Sequence, residues 1–206
     1  TQTGTKLNAV GMLYITKDGS MSTGLVTDYT EKDADVEAYI ALIQAQFEEL
    51  LNNVVARSDV DLTIFEPGTD PAVRIVRNSE TNLGDLCADA YRYISGADIA
   101  FVNGGGVRTD IAKGDITYGG IIKVHPFGNE LCMVEATGQE IMDALEMGAR
   151  ATPEENGGFL QVAGLTYEIH TYVPSSVTLD ENNMFVSVDG EYRVKNVMVG
   201  GEPLDL

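Results

Sequence analysis

The chain has 206 residues, 44% of them hydrophobic, and 32 acids against 13 bases give it a formal net charge of −19. That charge argues against nucleic-acid polymers or anionic membranes as partners, because both would repel it. No run approaches the ~20 apolar residues of a membrane span, and the apolar fraction suffices for the core of one large domain or of a domain with attached pieces. A small anion bound by such a chain needs its few arginines gathered locally against an unfavourable field.

Alternating apolar residues from Leu7 to Thr16 and from Met21 to Val26, joined by Lys17-Asp18-Gly19-Ser20, predict a hairpin. From Asp33 to Asn53 the period becomes helical, with Val36, Tyr39, Ile40, Ile43, Phe47, Leu50 and Leu51 on one stripe and Asp35 and Glu37 near the start. A hairpin followed by one long helix reads as the tail of one domain and a connector to the next. Phe65 to Pro71 is a Pro-Gly loop, Ala72 to Val76 a short strand, and Thr81 to Ser95 a helix with Leu83, Leu86, Cys87, Ala90 and Ile94 inward and Gly96 as its stop. Asp98 to Val102 is an apolar strand, and Asn129 to Ala136 alternates as another. Thr137-Gly138-Gln139-Glu140 is a capping box opening a further helix. Strands dominate from Leu160 onward, including a hairpin through Asp189-Gly190. The expected class is α+β, a mixed sheet with helices packed on it. The ending at Gly200 to Leu206 reads as a turn leading toward another element. Cys87 and Cys132 both sit in apolar contexts and read as buried small hydrophobes, with one disulfide left open.

Three segments carry the chemistry. Arg77 precedes a helix opening, where free amides and the dipole favour anions; alternatively it pairs with Glu80 on the surface. Asn103-Gly104-Gly105-Gly106-Val107-Arg108 follows a strand. It matches neither a dinucleotide fingerprint nor a P-loop, so the triplet is a tight turn or a ligand cradle, with hydrogen-bond donors at both ends. His125-Pro126-Phe127-Gly128-Asn129 offers a proline-fixed ring that is core or, if exposed, a stacking face. The two histidines, His125 and His170, form no H-x-H, H-E-x-x-H or C-x-x-C pattern, and no Ser-His-Asp set is compelling. His125 reads as orienting a loop or as a plain core or surface residue, rather than as a catalytic one. The residues describe a binding site without a reaction centre.

Glu80-Thr81-Asn82-Leu83-Gly84-Asp85, then the Asn103 to Arg108 run, then Pro126-Phe127-Gly128-Asn129, in that order, closely resemble the C-terminal domain of the 5'-nucleotidase family. The resemblance spans about Val54 to Leu206 and implies a truncated nucleotide-binding domain. Residues 1–28 resemble the end of that family's metallophosphoesterase domain, and 29–53 its interdomain linker helix, a hinge region. It further implies hydrolysis of nucleoside 5'-phosphates, with two divalent ions (Zn, Mn or similar) held by an N-terminal domain. It assigns no catalytic residue and no metal ligand here, so this chain alone is expected to be inactive. Carried over by position, Arg77 and Arg108 contact phosphate and Asn103 lies near sugar and phosphate. Gly104 and Gly105 belong to the same loop, Phe127 stacks on the base and Asn129 meets its edge. A further arginine of some relatives is replaced by Val73, with Arg74 adjacent and on the other face of a strand. The family also implies an extracellular, periplasmic or cell-surface location and contact with the metal-binding domain. The alternatives are a non-catalytic module of the same fold and a phosphoesterase for 2',3'-cyclic nucleotides or UDP-sugars.

Overall fold

The computed structural model describes residue 3, residues 9–28 and residues 30–206. It divides into two compact units, Thr1–Glu48 and Glu49–Leu206. In the first, β1 (Val10–Ile15) pairs antiparallel with β2 (Met21–Val26) in the expected hairpin. Gly19, at φ 85°, supplies the left-handed residue its turn needs. Leu7 and Asn8 of the predicted strand, and most of the Thr1–Leu7 segment, lie outside the described residues. The predicted long helix is α1, Ala34–Asn52, its first turn capped by Asp33 Oδ1, which accepts from the Asp35 and Val36 amides. Its apolar stripe is present in sequence, yet none of its residues is buried.

The second unit has the expected α+β character. Its strands, however, form several small ladders rather than one mixed sheet, and every ladder is antiparallel. β3 (Val54–Ser58) pairs with β5 (Gly114–Thr117), β4 (Ala100–Asn103) with β6 (Leu160–Ala163), and β8 (Val177–Leu179) with β9 (Phe185–Val188). β7 (Leu165–Ile169), β10 (Val194–Val199) and β11 (Glu202–Pro203) make a three-stranded set in the order β11-β10-β7. Helix α2 (Asn82–Ser95) opens on Thr81, whose hydroxyl accepts from the Gly84 amide, and stops at Gly96 in the left-handed region (φ 68°). Helix α3 covers Tyr118–Val124, and α4, Gly138–Ala149, opens with the predicted capping box between Thr137 and Glu140.

One core cluster joins Leu83, Cys87 and Ala88 of α2 to Val102, Val107, Val124 and Ala163. The other joins Leu145 and Ala149 of α4 to Leu165, Val194 and Val197. α2 meets the first core through Leu83, Cys87 and Ala88, while Leu86, Ala90 and Ile94 face outward, against expectation. The inward stripe is thus rotated toward the small Ala88 and Gly84, which sit tight against β6: a Cβ on Gly84 would collide with the Gln161 side chain.

Four further expectations are corrected. Ala72–Val76 forms no strand. Arg74 makes a single bridge to Phe65, and the Ile75 and Val76 amides both turn to the Ile64 carbonyl. Residues 129–136 form no strand. Asp189-Gly190 does not close a hairpin. The β8–β9 turn lies at Asp180–Met184 instead, where Asn183 takes φ 61° and Asp180 Oδ1 accepts from the Asn182 and Met184 amides. β10 is drawn away from β9 because the Arg193 and Val194 amides donate to the two oxygens of buried Glu146. Cys87 is buried, which pushes its thiol up to about 12, but Cys132 is exposed and both are free thiols.

Candidate functional site

Arg77 sits in a tight turn after Val76, where the Asn78 and Ser79 amides both donate to the Ile75 carbonyl. Buried Gln161 of β6 straps that turn in place. Its Nε2 donates to the Val76 and Ser79 carbonyls (3.0 and 2.7 Å), and its Oε1 accepts from the Thr81 amide. One glutamine therefore fixes the residue before Arg77 and the helix cap after it. Sequence reading missed Gln161, because a polar residue within Leu-Gln-Val-Ala reads as solvent-facing.

The triple glycine is a 3₁₀ turn, Gly104–Gly106, at the end of β4. Its use is close backbone packing. The Gly104 amide donates to the Phe159 carbonyl and the Gly105 amide to the Gly157 carbonyl. These donors are therefore committed within the fold. A Cβ on Gly104 would overlap the Val76 carbonyl oxygen, and one on Gly105 would stand 2.8 Å from the Gly157 oxygen. The turn thus lies directly against the Arg77 segment. Gly104→Ala should push Val76 and Arg77 off this seat, destabilising the protein by about 3 kcal/mol or more, as overpacking against rigid backbone does. Urea unfolding checks this, and a loss below about 1 kcal/mol would contradict it.

Asn103 Nδ2 donates to the Gly157 carbonyl at 3.2 Å, and the Asn156 amide donates to the Arg77 carbonyl at 2.9 Å. The loop Glu155-Asn156-Gly157 therefore holds the Arg77 and Asn103 segments together. It was not singled out in the sequence, although Asn-Gly-Gly is a turn signal. Arg108 leaves the glycine turn with its amide on the Val124 carbonyl and its Nη1 on the Gly105 carbonyl (3.1 Å). Its guanidinium carbon lies 5.6 Å from the centroid of the Phe127 ring, a cation–π arrangement. Phe127 is 59% exposed, so it is not a core ring. Asn129 follows Gly128 (φ 63°) on an exposed stretch and makes no hydrogen bond among the described residues.

Three arginines meet here. Burial, then the neighbouring charges of Arg74 and Arg108, push the Arg77 guanidinium down from its usual range, against a weaker pull from Glu155. Arg74, expected on the opposite face of a strand, belongs to the cluster and is neutralised by Glu155, with Nε to Oε1 at 2.7 Å. Arg77 does not pair with Glu80. Among the described residues no carboxylate stands within the 4.0 Å ion-pair distance of Arg77 or Arg108. Two guanidinium groups without a carboxylate at ion-pair distance, one beside an exposed ring, concentrate positive charge locally in a chain of net charge −19.

The His125 ring tilts against Tyr91 at 5.9 Å, and its Nε2 is buried without a partner. Burial pushes the imidazole below its ordinary pKa, so the neutral form belongs to the fold. The sign follows. Stability contributed by the neutral ring is present above the unfolded value of about 6.5 and is lost as pH falls through the lower folded value. His125→Asn, which removes the titrating ring, should flatten the fall in stability as pH drops below about 6.5. An unchanged slope in denaturant titrations would contradict this role.

Residues 54–206 match the family described as 5'-nucleotidase, C-terminal domain. Among curated proteins, the chain is 36% identical over 156 residues to the trifunctional nucleotide phosphoesterase protein YfkN of Bacillus subtilis, covering 74% of this chain and 10% of that one. It is 34% identical over 179 residues to a 5'-nucleotidase of Vibrio parahaemolyticus, covering 87% of this chain and 30% of that one. A 5'-nucleotidase precursor of Thermus thermophilus superposes with a TM-score of 0.59 at 30% identity, covering 88% of this chain and 38% of that structure. The chain thus spans less than two fifths of the length of each of these proteins. By the family match and these likenesses, the chain belongs to the 5'-nucleotidase family, with residues 54–206 as its C-terminal domain.

Proposed function

We propose that residues 54–206 are the substrate-recognition domain of a phosphatase that hydrolyses nucleoside 5'-phosphates. Arg77 and Arg108 hold the phosphate, Asn103 lies beside sugar and phosphate, Phe127 stacks on the base and Asn129 meets its edge. The observation that carries this reading is the meeting of Arg77 and Arg108, without carboxylate partners, beside the exposed Phe127. Guanidinium forks suit phosphate oxygens, and an exposed flat ring suits a base. Gly104 and Gly105 serve this site by bringing backbones together, since their amides are already engaged.

The family's pair of divalent metals does not fit the residues here. Among the described residues no three His, Cys, Asp or Glu side chains gather where a metal ion could be held. In this reading the metals belong to another domain of the parent protein, which the residues before 54 connect to the recognition domain. An extracellular, periplasmic or cell-surface setting goes with the same reading.

The experiment is direct. This chain, incubated with AMP and Mn²⁺, Co²⁺ or Zn²⁺, should release no phosphate above a blank, while the full gene product does so. Sustained turnover by the chain alone would overturn the division of labour.

A further inference from the structure

The three arginines of the candidate site are not equivalent. Arg74 is forked onto Glu155, with Nε 2.7 Å from Oε1 and Nη2 on Oε2. Arg77 and Arg108 have no such carboxylate among the described residues. The fork faces solvent, since its two side chains are 36% and 39% exposed. Arg74 nevertheless stands close to the other two. Of the neighbouring guanidinium groups that push Arg77 down, after burial itself, Arg74 acts more strongly than Arg108. Glu155 feels both Arg74 and Arg77. Its carboxyl is held below the usual carboxylate range first by the bond to Arg74, and further by the charges of Arg74 and Arg77. Backbone ties fix it there. The next residue, Asn156, donates its amide to the Arg77 carbonyl at 2.9 Å, and Asn78 Nδ2 donates to the Pro153 carbonyl at 2.8 Å.

A carboxylate anchored beside a phosphate grip weakens the pull on every anion, but not equally. A nucleoside monophosphate brings about two negative charges, which Arg77 and Arg108 match. A second phosphate brings further charge and needs a third cation. Arg74 is the remaining guanidinium of the cluster, and Glu155 holds it. We propose that Glu155 restricts this site to ligands with a single phosphate, by keeping Arg74 engaged and by opposing the charge of a second phosphate. The inference rests on the reading of Arg77 and Arg108 as the phosphate grip. An arginine–carboxylate pair this exposed is weakly held, so the fork can open. Opening it leaves Glu155 uncompensated next to the incoming anion, and the two effects oppose each other. Glu155 is thus a specificity-determining residue that acts through Arg74 and through its own charge.

Titration calorimetry with AMP and with ADP, in the absence of divalent ions, compares the wild-type chain with its variants. Glu155→Gln should raise ADP affinity about 10-fold, the scale of one gained charge-assisted hydrogen bond, and AMP affinity by no more than about twofold. Arg74→Gln, which leaves Glu155 a bare charge, should weaken ADP binding several-fold more than AMP binding. The double variant should lose most of the gain in ADP affinity. A ratio of ADP to AMP affinity that keeps its wild-type value in both single variants would overturn the proposal. So would an equal loss of both ligands with a lower melting temperature, the mark of a structural residue. If the wild type binds neither nucleotide at millimolar concentration, the phosphate-grip reading itself fails. If it binds AMP and the ratio does not move, only the role of Glu155 fails.

Discussion

Arg77→Ala and Arg108→Ala, made singly in the full-length protein, should each weaken binding of a nucleoside 5'-phosphate about 10- to 100-fold, the scale of a lost charge-assisted hydrogen bond of about 1.5–3 kcal/mol. The double variant should lose less than the product of the two, because both arginines grip one phosphate. Stability separates this from a structural role. Arg77 is held in its charged form against burial and against Arg74 and Arg108. Removing its charge should leave the melting temperature unchanged or raise it while binding falls, the pattern of a residue kept for function. Phe127→Ala should behave differently. It should reduce the preference for AMP over ribose 5-phosphate several-fold, by loss of about 1 kcal/mol of stacking, and leave ribose 5-phosphate itself little affected. Competition titrations with AMP, ribose 5-phosphate and inorganic phosphate check all three. A drop in stability matching the drop in affinity for the arginine variants would contradict the assignment.

Arg193→Met should have the largest effect on stability, a loss of about 4 kcal/mol. Arg193 is 4% exposed, and its guanidinium donates to the carbonyls of Ala149, Arg150, Thr152, Thr171 and Val173. Methionine has similar length but no donor, so several carbonyls would lose their partners at about 1–3 kcal/mol each, with partial relaxation. Glu146, fully buried, completes the arrangement by accepting from the Arg193 and Val194 amides at 3.1 and 2.8 Å. Glu146→Gln should cost less, about 2 kcal/mol, because one oxygen remains an acceptor. For a chain of this size a loss of about 4 kcal/mol corresponds to roughly 10–15 °C in melting temperature. Nucleotide affinity of the molecules that remain folded should not change, since neither residue touches the arginine cluster. A shift under about 3 °C for Arg193→Met would show that water replaces the guanidinium cheaply.

The sequence exposed those parts of the molecule whose signals are local. Thr81 and Gly96 bound α2 because a hydroxyl cap and a left-handed stop act within one turn. The Thr137–Glu140 box is equally self-contained. Leu131 to Ala136 has the period of a strand, but period alone does not supply a partner, and the stretch forms no strand. The hairpin was misplaced because two turn signals competed. Asp180 to Met184 won, since Glu146 holds the start of β10 elsewhere, a contact 47 residues apart that no local pattern reveals. Arg77, Arg108 and Phe127 stood out in the sequence because they flank glycines and a proline. Their supports did not. Gln161, Glu155 and Gly157 act from distant stretches of the chain through backbone hydrogen bonds and an ion pair, and their types carry no signature there.

The most direct measurement is an amide and side-chain chemical-shift titration of this chain with AMP, with adenosine and inorganic phosphate as separate arms. The predicted result is a contiguous set of shifts at Arg77, Asn103, Arg108, Phe127 and Asn129, with phosphate moving the arginines and adenosine moving Phe127. Saturable shifts confined to other surfaces would contradict the account, as would the absence of any shift at millimolar AMP.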